Sequence, residues 1–124
     1  MISIGFVILC WNSQKVIEAC LSSIAAMSSI DCRIIVVDNG SEDKTTVIVK
    51  RFMEKNNAIR CHCELIQLEK NYGTTVSRNK GLRKLVESHP DTQFICILDS
   101  DTEVNEAAFE RLVAAIKDLS LIHI

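Results

Sequence analysis

A chain of 124 residues is long enough for one domain and no more. Its 48% hydrophobic and 24% charged residues exclude a disordered chain, and a formal net charge of −2 gives no grip on a polyanion, so no nucleic-acid partner is expected. No apolar run approaches the roughly 18 residues of a membrane span. The apolar opening 1–11 lacks a basic flank and a cleavage site and runs straight into Asn12-Ser13-Gln14-Lys15, so it reads as a buried strand rather than a signal peptide.

Strand and helix patterns alternate four times. Residues 2–9 are rich in β-branched side chains and read as a strand. Asn12 or Ser13 is placed to cap a helix over 14–27, with Val16, Ile17, Cys20, Leu21, Ile24 and Met27 on one face. Residues 33–37 form a second strand, apolar on both faces as a central parallel strand should be. After the turn at Asp38-Asn39-Gly40-Ser41, a helix over 43–55 is expected to carry Val47, Ile48 and Phe52 inward, with Ser41 or Asp43 as its cap. A third strand covers 61–68. Asn71-Tyr72-Gly73 then turns the chain into a helix over 74–87 that buries Val76, Leu82, Leu85 and Val86. Pro90 breaks the chain before the fourth strand, 94–98, and a last helix spans 105–117 after Asp99-Ser100-Asp101.

This alternation predicts an α/β, Rossmann-like parallel sheet of four β-α units with helices on both faces. Ligands bind such sheets beyond the carboxyl ends of the strands. The residues after each strand are indeed polar: Trp11-Asn12, Asp38-Asn39, Asn71-Tyr72-Gly73 and Asp99-Ser100-Asp101.

Cys10, Cys20, Cys32 and Cys96 lie within apolar segments, where a thiol packs as a small hydrophobe, and a reduced, cytoplasmic chain is expected. Cys61-His62-Cys63 has the residue types of a zinc site. Strand alternation would turn His62 away from both thiols, and no second ligand pair follows at zinc-site spacing.

Asp99-Ser100-Asp101 carries the sharpest chemical signal. Two carboxylates at i and i+2 after an apolar strand suit a hard cation, Mn²⁺ or Mg²⁺, whose shell is completed by phosphates and water. The plainer reading is an Asp-rich turn that caps the next helix. At Asp38-Asn39-Gly40-Ser41 a side-chain oxygen can accept from a base while Gly40 allows the tight turn. Trp11, the single tryptophan, offers a face to a pyrimidine, or else packs half-buried. Five basic residues and no acid lie between Lys70 and Lys84, and Arg78 among them is near enough to a helix N-terminus to reach a diphosphate. There is neither a G-x-G-x-x-G nor a P-loop, and His62, His89 and His123 all lie away from these strand ends.

Taken together, Leu9-Cys10-Trp11-Asn12, Val37-Asp38-Asn39-Gly40-Ser41-Glu42-Asp43, Asn71-Tyr72-Gly73 with Arg78-Asn79-Lys80-Gly81, and Asp99-Ser100-Asp101 resemble the elements of the family 2 glycosyltransferases in order and spacing. The resemblance runs from about Ile2 to Lys117 and implies the GT-A fold. It further implies that Leu9, Trp11 and Asn12 lie at the base pocket, that Asn39 (or Asp38) hydrogen-bonds the pyrimidine, and that Asn71, Gly73 and Arg78 lie near base or phosphate. Asp99 and Ser100 would meet ribose or sugar, and Asp101, with Asp99, would hold the metal on the diphosphate.

The implied activity is metal-dependent, inverting transfer from a UDP- or dTDP-sugar to a saccharide or lipid-linked acceptor, in the cytoplasm or at the cytoplasmic membrane face. The alternatives are a non-catalytic nucleotide-sugar-binding fragment and a nucleotidyltransferase. Family members extend further past the Asp-x-Asp than this chain does. The expectation is therefore a truncated donor-binding part over 1–119, a foreign or disordered tail at 120–124, and a catalytic base beyond Ile124. A fourth strand left at the sheet edge would favour self-association.

Overall fold

The computed structural model describes residues 1–56 and 61–122. Its elements run β1 (Ile2–Cys10), α1 (Ile17–Ala25), β2 (Ile30–Asp38), α2 (Thr45–Lys55), β3 (Cys61–Gln67), α3 (Thr74–Ser88), β4 (Phe94–Asp99) and α4 (Glu106–Ile122). The strands form one sheet in the order β3-β2-β1-β4, with all three pairings parallel. The apolar β1 and β2 occupy the centre and are buried on both faces, the position that near-continuous apolar runs require.

Helices cover both faces unequally. On one side α1, α2 and α4 pack Ile17, Leu21, Ile24, Val49, Phe52 and Val113 against Phe6, Ile8, Ile34 and Val36. On the other, α3 alone lies over β1 and β2, with Leu85 against Val7, Ile35 and Val37. Gly5 and Gly81 allow this close approach. A Cβ at Gly81 would sit 2.5 Å from Val7 Cγ1 and 2.9 Å from Val37 Cγ2.

Several expected boundaries and faces change. Ser13 does not cap α1; its carbonyl accepts from Val16 and Ile17 in a turn, and the helix starts only at Ile17, leaving Val16 exposed. Asn12, at φ +49°, is occupied with the next loop instead of capping. On α2 the inward stripe is Thr45, Val49 and Phe52, and Val47 is exposed. On α3 it is Ser77, Gly81 and Leu85, while Val76 and Val86 face out. In both helices the phase is set by which side chains fit against the sheet rather than by the number of apolar residues. α4, expected over 105–117, continues through Ile122, and 123–124 lie outside the described residues.

β4 is an edge strand, as expected, with Ile95 and Ile97 exposed on its open face. At the opposite edge, His62 is exposed between buried Cys61 and half-buried Cys63, and its ring lies 5.7 Å from that of His89. Alternation thus separates the imidazole from both thiols, as the strand reading required. No described helix is long and apolar enough to cross a membrane.

Candidate donor site at the carboxyl edge of the sheet

Register levels the strand ends. Cys10 pairs with Asp38, Asp38 with Gln67, and Asp99 with Leu9. The four polar segments predicted from sequence therefore emerge along one edge, and hydrogen bonds join them.

The loop after β1 is laced to the loop after β2. Asn12 N–H donates to Ser41 Oγ (2.8 Å), and Asn12 Oδ1 accepts from Glu42 N–H (2.9 Å). Ser13 N–H donates to Thr45 Oγ1 (2.8 Å), Gln14 N–H to Asp43 (3.2 Å) and Lys44 N–H to Gln14 Oε1 (3.1 Å). Burial pushes the Asp43 carboxyl up, but hydrogen bonds from Thr45 and Gln14 outweigh it and hold the group below its ordinary value. Asp43, rather than Ser41, thereby receives the Thr45 N–H at the start of α2.

Asp38 and Asn39 form the floor of this edge. Both are buried. Asp38 accepts from Ser41 N–H (3.0 Å), from the Ser41 hydroxyl (2.5 Å) and from the Cys10 thiol (3.6 Å). Burial beside Asp38 pushes the Cys10 thiol far above its ordinary value, so it stays a neutral donor. Asn39 Oδ1 accepts from Tyr72 N–H (3.0 Å) and the Ser77 hydroxyl (2.8 Å), and its Nδ2 donates to the Gly73 carbonyl (3.3 Å). These bonds leave one Asn39 N–H and one Asp38 acceptor site unused among the described residues.

The outward groups are different residues. Trp11 is 54% exposed, which rules out the half-buried packing role. Tyr72 is also exposed, with Lys70 Nζ 5.3 Å from its ring centre. Asn71 Oδ1 accepts from Gly73 N–H (2.8 Å), and Gly73, at φ +86°, leads into α3. Arg78, on the second turn of α3, is exposed and makes no ion pair among the described residues. Leu9 is half-buried and pairs in register with Asp99 on the neighbouring strand. Asp99 and Asp101 are both exposed and without a cationic partner among the described residues. Ser100 between them bonds Ser13, Oγ to Oγ, at 2.8 Å. Among the described residues no three Asp, Glu, His or Cys side chains gather as a metal ligand set.

The sequence reading missed Ser13 as a junction and Ser77 as a buried partner. Ser77 was visible as a polar residue in the i, i+4, i+8 series with Gly81 and Leu85. Nothing local marks Ser13.

With this geometry in hand, comparison with known proteins is decisive. The model for glycosyl transferase family 2 matches residues 6–122. The chain belongs to that family. Among curated family relatives it is 28% identical, over 105 residues, to the poly-beta-1,6-N-acetyl-D-glucosamine synthase of Staphylococcus aureus (strain COL); the match takes in 85% of this chain and 23% of the synthase. Among solved structures it superposes on S. aureus TarS 1-349 in complex with UDP-GlcNAc with a TM-score of 0.75 and 25% identity, over 94% of this chain and 32% of that one. The mannosyltransferase PcManGT from Pyrobaculum calidifontis, in complex with GDP-Man and Mn2+, shares the fold with a TM-score of 0.70 at 22% identity, over 81% and 28% of the two chains. The GT-A fold expected from the motifs is the fold observed. The chain spans about a quarter to a third of the length of these family relatives.

Proposed function

We propose that this chain is the donor-binding part of a glycosyltransferase that moves a sugar from a nucleoside-diphosphate sugar to an acceptor hydroxyl with inversion. The observation that carries this reading is the pair of exposed carboxylates Asp99 and Asp101, without a cationic partner among the described residues and linked to the exposed Trp11 through Ser13 and Ser100. Trp11 offers its face to the base, Arg78 meets the phosphates, and Asp99 meets ribose or sugar. The UDP and UDP-GlcNAc complexes of TarS support a uridine diphosphate donor over a dTDP one.

An oxygen-only set of two free carboxylates fits a hard divalent ion, Mn²⁺ or Mg²⁺, on Asp101 with Asp99, provided diphosphate oxygens and water complete the shell. Such an ion supplies charge neutralisation at the leaving diphosphate, worth several kcal/mol. No residue is assigned here as the base that activates a saccharide or lipid-linked acceptor, and donor binding is the step assigned to this chain. Six cysteines, none paired with another, suit a reducing cytoplasmic setting.

Calorimetric titration of UDP with Mn²⁺ tests the reading. Wild type should bind and Asp101→Ala should lose the metal-dependent part. Equal affinity in the two proteins sinks the assignment. In a turnover assay, release of nucleoside diphosphate identifies transfer, whereas release of pyrophosphate identifies a nucleotidyltransferase.

A further inference from the structure

The loop that carries the two carboxylates is tethered differently from its neighbours. Five hydrogen bonds lace the loop after β1 to the loop after β2. By contrast, the only side-chain bond recorded for Asp99-Ser100-Asp101 among the described residues is the 2.8 Å contact of Ser100 Oγ with Ser13 Oγ. Ser13 is buried. Its Oγ also accepts from Trp11 N–H (3.2 Å), and its hydroxyl donates to the Trp11 carbonyl (3.2 Å). With that proton on the Trp11 carbonyl, Ser100 is the donor in the serine pair, and every hydrogen-bonding capacity of the Ser13 hydroxyl is used. Its backbone N–H is anchored on Thr45 Oγ1, which is itself fully buried.

We propose that Ser13 is a positioning residue that fixes the Trp11 platform and the Asp99-Ser100-Asp101 loop in one mutual geometry, so that base and diphosphate are gripped together. The inference rests on the donor-site reading. It adds that affinity for the nucleotide depends on a hydroxyl pair that need not touch it. Trp11 emission reports the link directly, because the chain has no other tryptophan.

The test uses this chain as wild type and as Ser13→Ala, Ser100→Ala, the double variant and Ser100→Thr. Two quantities are measured: acrylamide quenching of Trp11 without ligand, and calorimetric affinity for UDP with Mg²⁺. Ser100→Ala should raise the quenching constant of a tryptophan it does not contact. It should also weaken UDP–Mg²⁺ binding about 2–10-fold, the loss of one net hydrogen bond. The double variant should be no worse than Ser13→Ala, since the two hydroxyls act as one unit. Ser100→Thr, which keeps the hydroxyl, should return quenching toward the wild-type value. Unchanged Trp11 quenching in Ser100→Ala, or strictly additive losses of affinity, overturns the proposal. If wild type fails to bind UDP–Mg²⁺ while Ser100→Ala still alters quenching, the donor-site reading falls and the Ser13 link stands.

Discussion

Asn39 and Ser77, 38 residues apart, share a buried 2.8 Å hydrogen bond that ties the end of β2 to the first turns of α3. The same Asn39 oxygen accepts from Tyr72 N–H, and its amide nitrogen donates to the Gly73 carbonyl. One side chain therefore satisfies both ends of the Tyr72–Gly73 turn and sets the height at which α3 begins.

Removing that side chain leaves the Tyr72 N–H without its partner and takes one bond each from the Ser77 hydroxyl and the Gly73 carbonyl, which still bond each other. An unsatisfied buried group costs about 1–3 kcal/mol and each further lost bond about 0.5–1.5 kcal/mol. Asn39→Ala should thus lose about 2–4 kcal/mol of unfolding free energy, read as a fall in urea midpoint at unchanged slope.

The glycines predict a ranking. A Cβ at Gly40, at φ +78°, would lie 2.6 Å from Lys70 Cα and 2.7 Å from Lys70 C, backbone atoms that cannot rotate away. At Gly81 the obstructing atoms are the valine methyls of β1 and β2, which yield at the usual overpacking cost of about 1–3 kcal/mol. Gly73, at φ +86° and ψ 171°, has nothing within 4 Å, so alanine there meets only backbone strain of about 1–3 kcal/mol. Gly40 combines a positive φ with a backbone clash, so thermal unfolding should show Gly40→Ala more damaged than either Gly81→Ala or Gly73→Ala.

Burial also fixes an alkaline limit. It pushes the Cys20 thiol up to about 11 and the Cys32 and Cys63 thiols up to about 12, from an ordinary value of 9.0. The unfolded chain gives up these protons first, so stability present below about pH 9 declines as pH rises toward 11–12. Urea midpoints measured from pH 8 to 11 should fall steadily. Substituting Cys20 by Ser removes one titrating thiol and should reduce that slope, and a flat profile would contradict the burial.

Much of this was legible in the chain itself. Apolar runs bounded by polar residues placed four strands close to where they lie, most firmly β1 and β2, because a strand buried on both faces admits little else. The strand-end rule then located Trp11, Asp38, Asn71 and Asp99 on one edge without any coordinates. Helix existence was readable, but helix phase was not. Val76 and Val86 face out because α3 needs its small residues, Ser77 and Gly81, where the helix meets Val7 and Val37, and Val47 faces out of α2 because Thr45, Val49 and Phe52 take the inward positions.

Only the tertiary structure decided which polar groups look outward. Asp38 and Asn39 are the residues the family resemblance assigned to the base, yet their side chains are engaged by Ser41, Cys10, Tyr72 and Ser77. The Ser13–Ser100 bond spans 87 residues and exists because β4 lies beside β1 in the order β3-β2-β1-β4. Local sequence sets strand, helix and turn through short-range sterics and burial. A hydrogen bond between distant loops depends on strand order and register, which no single segment encodes.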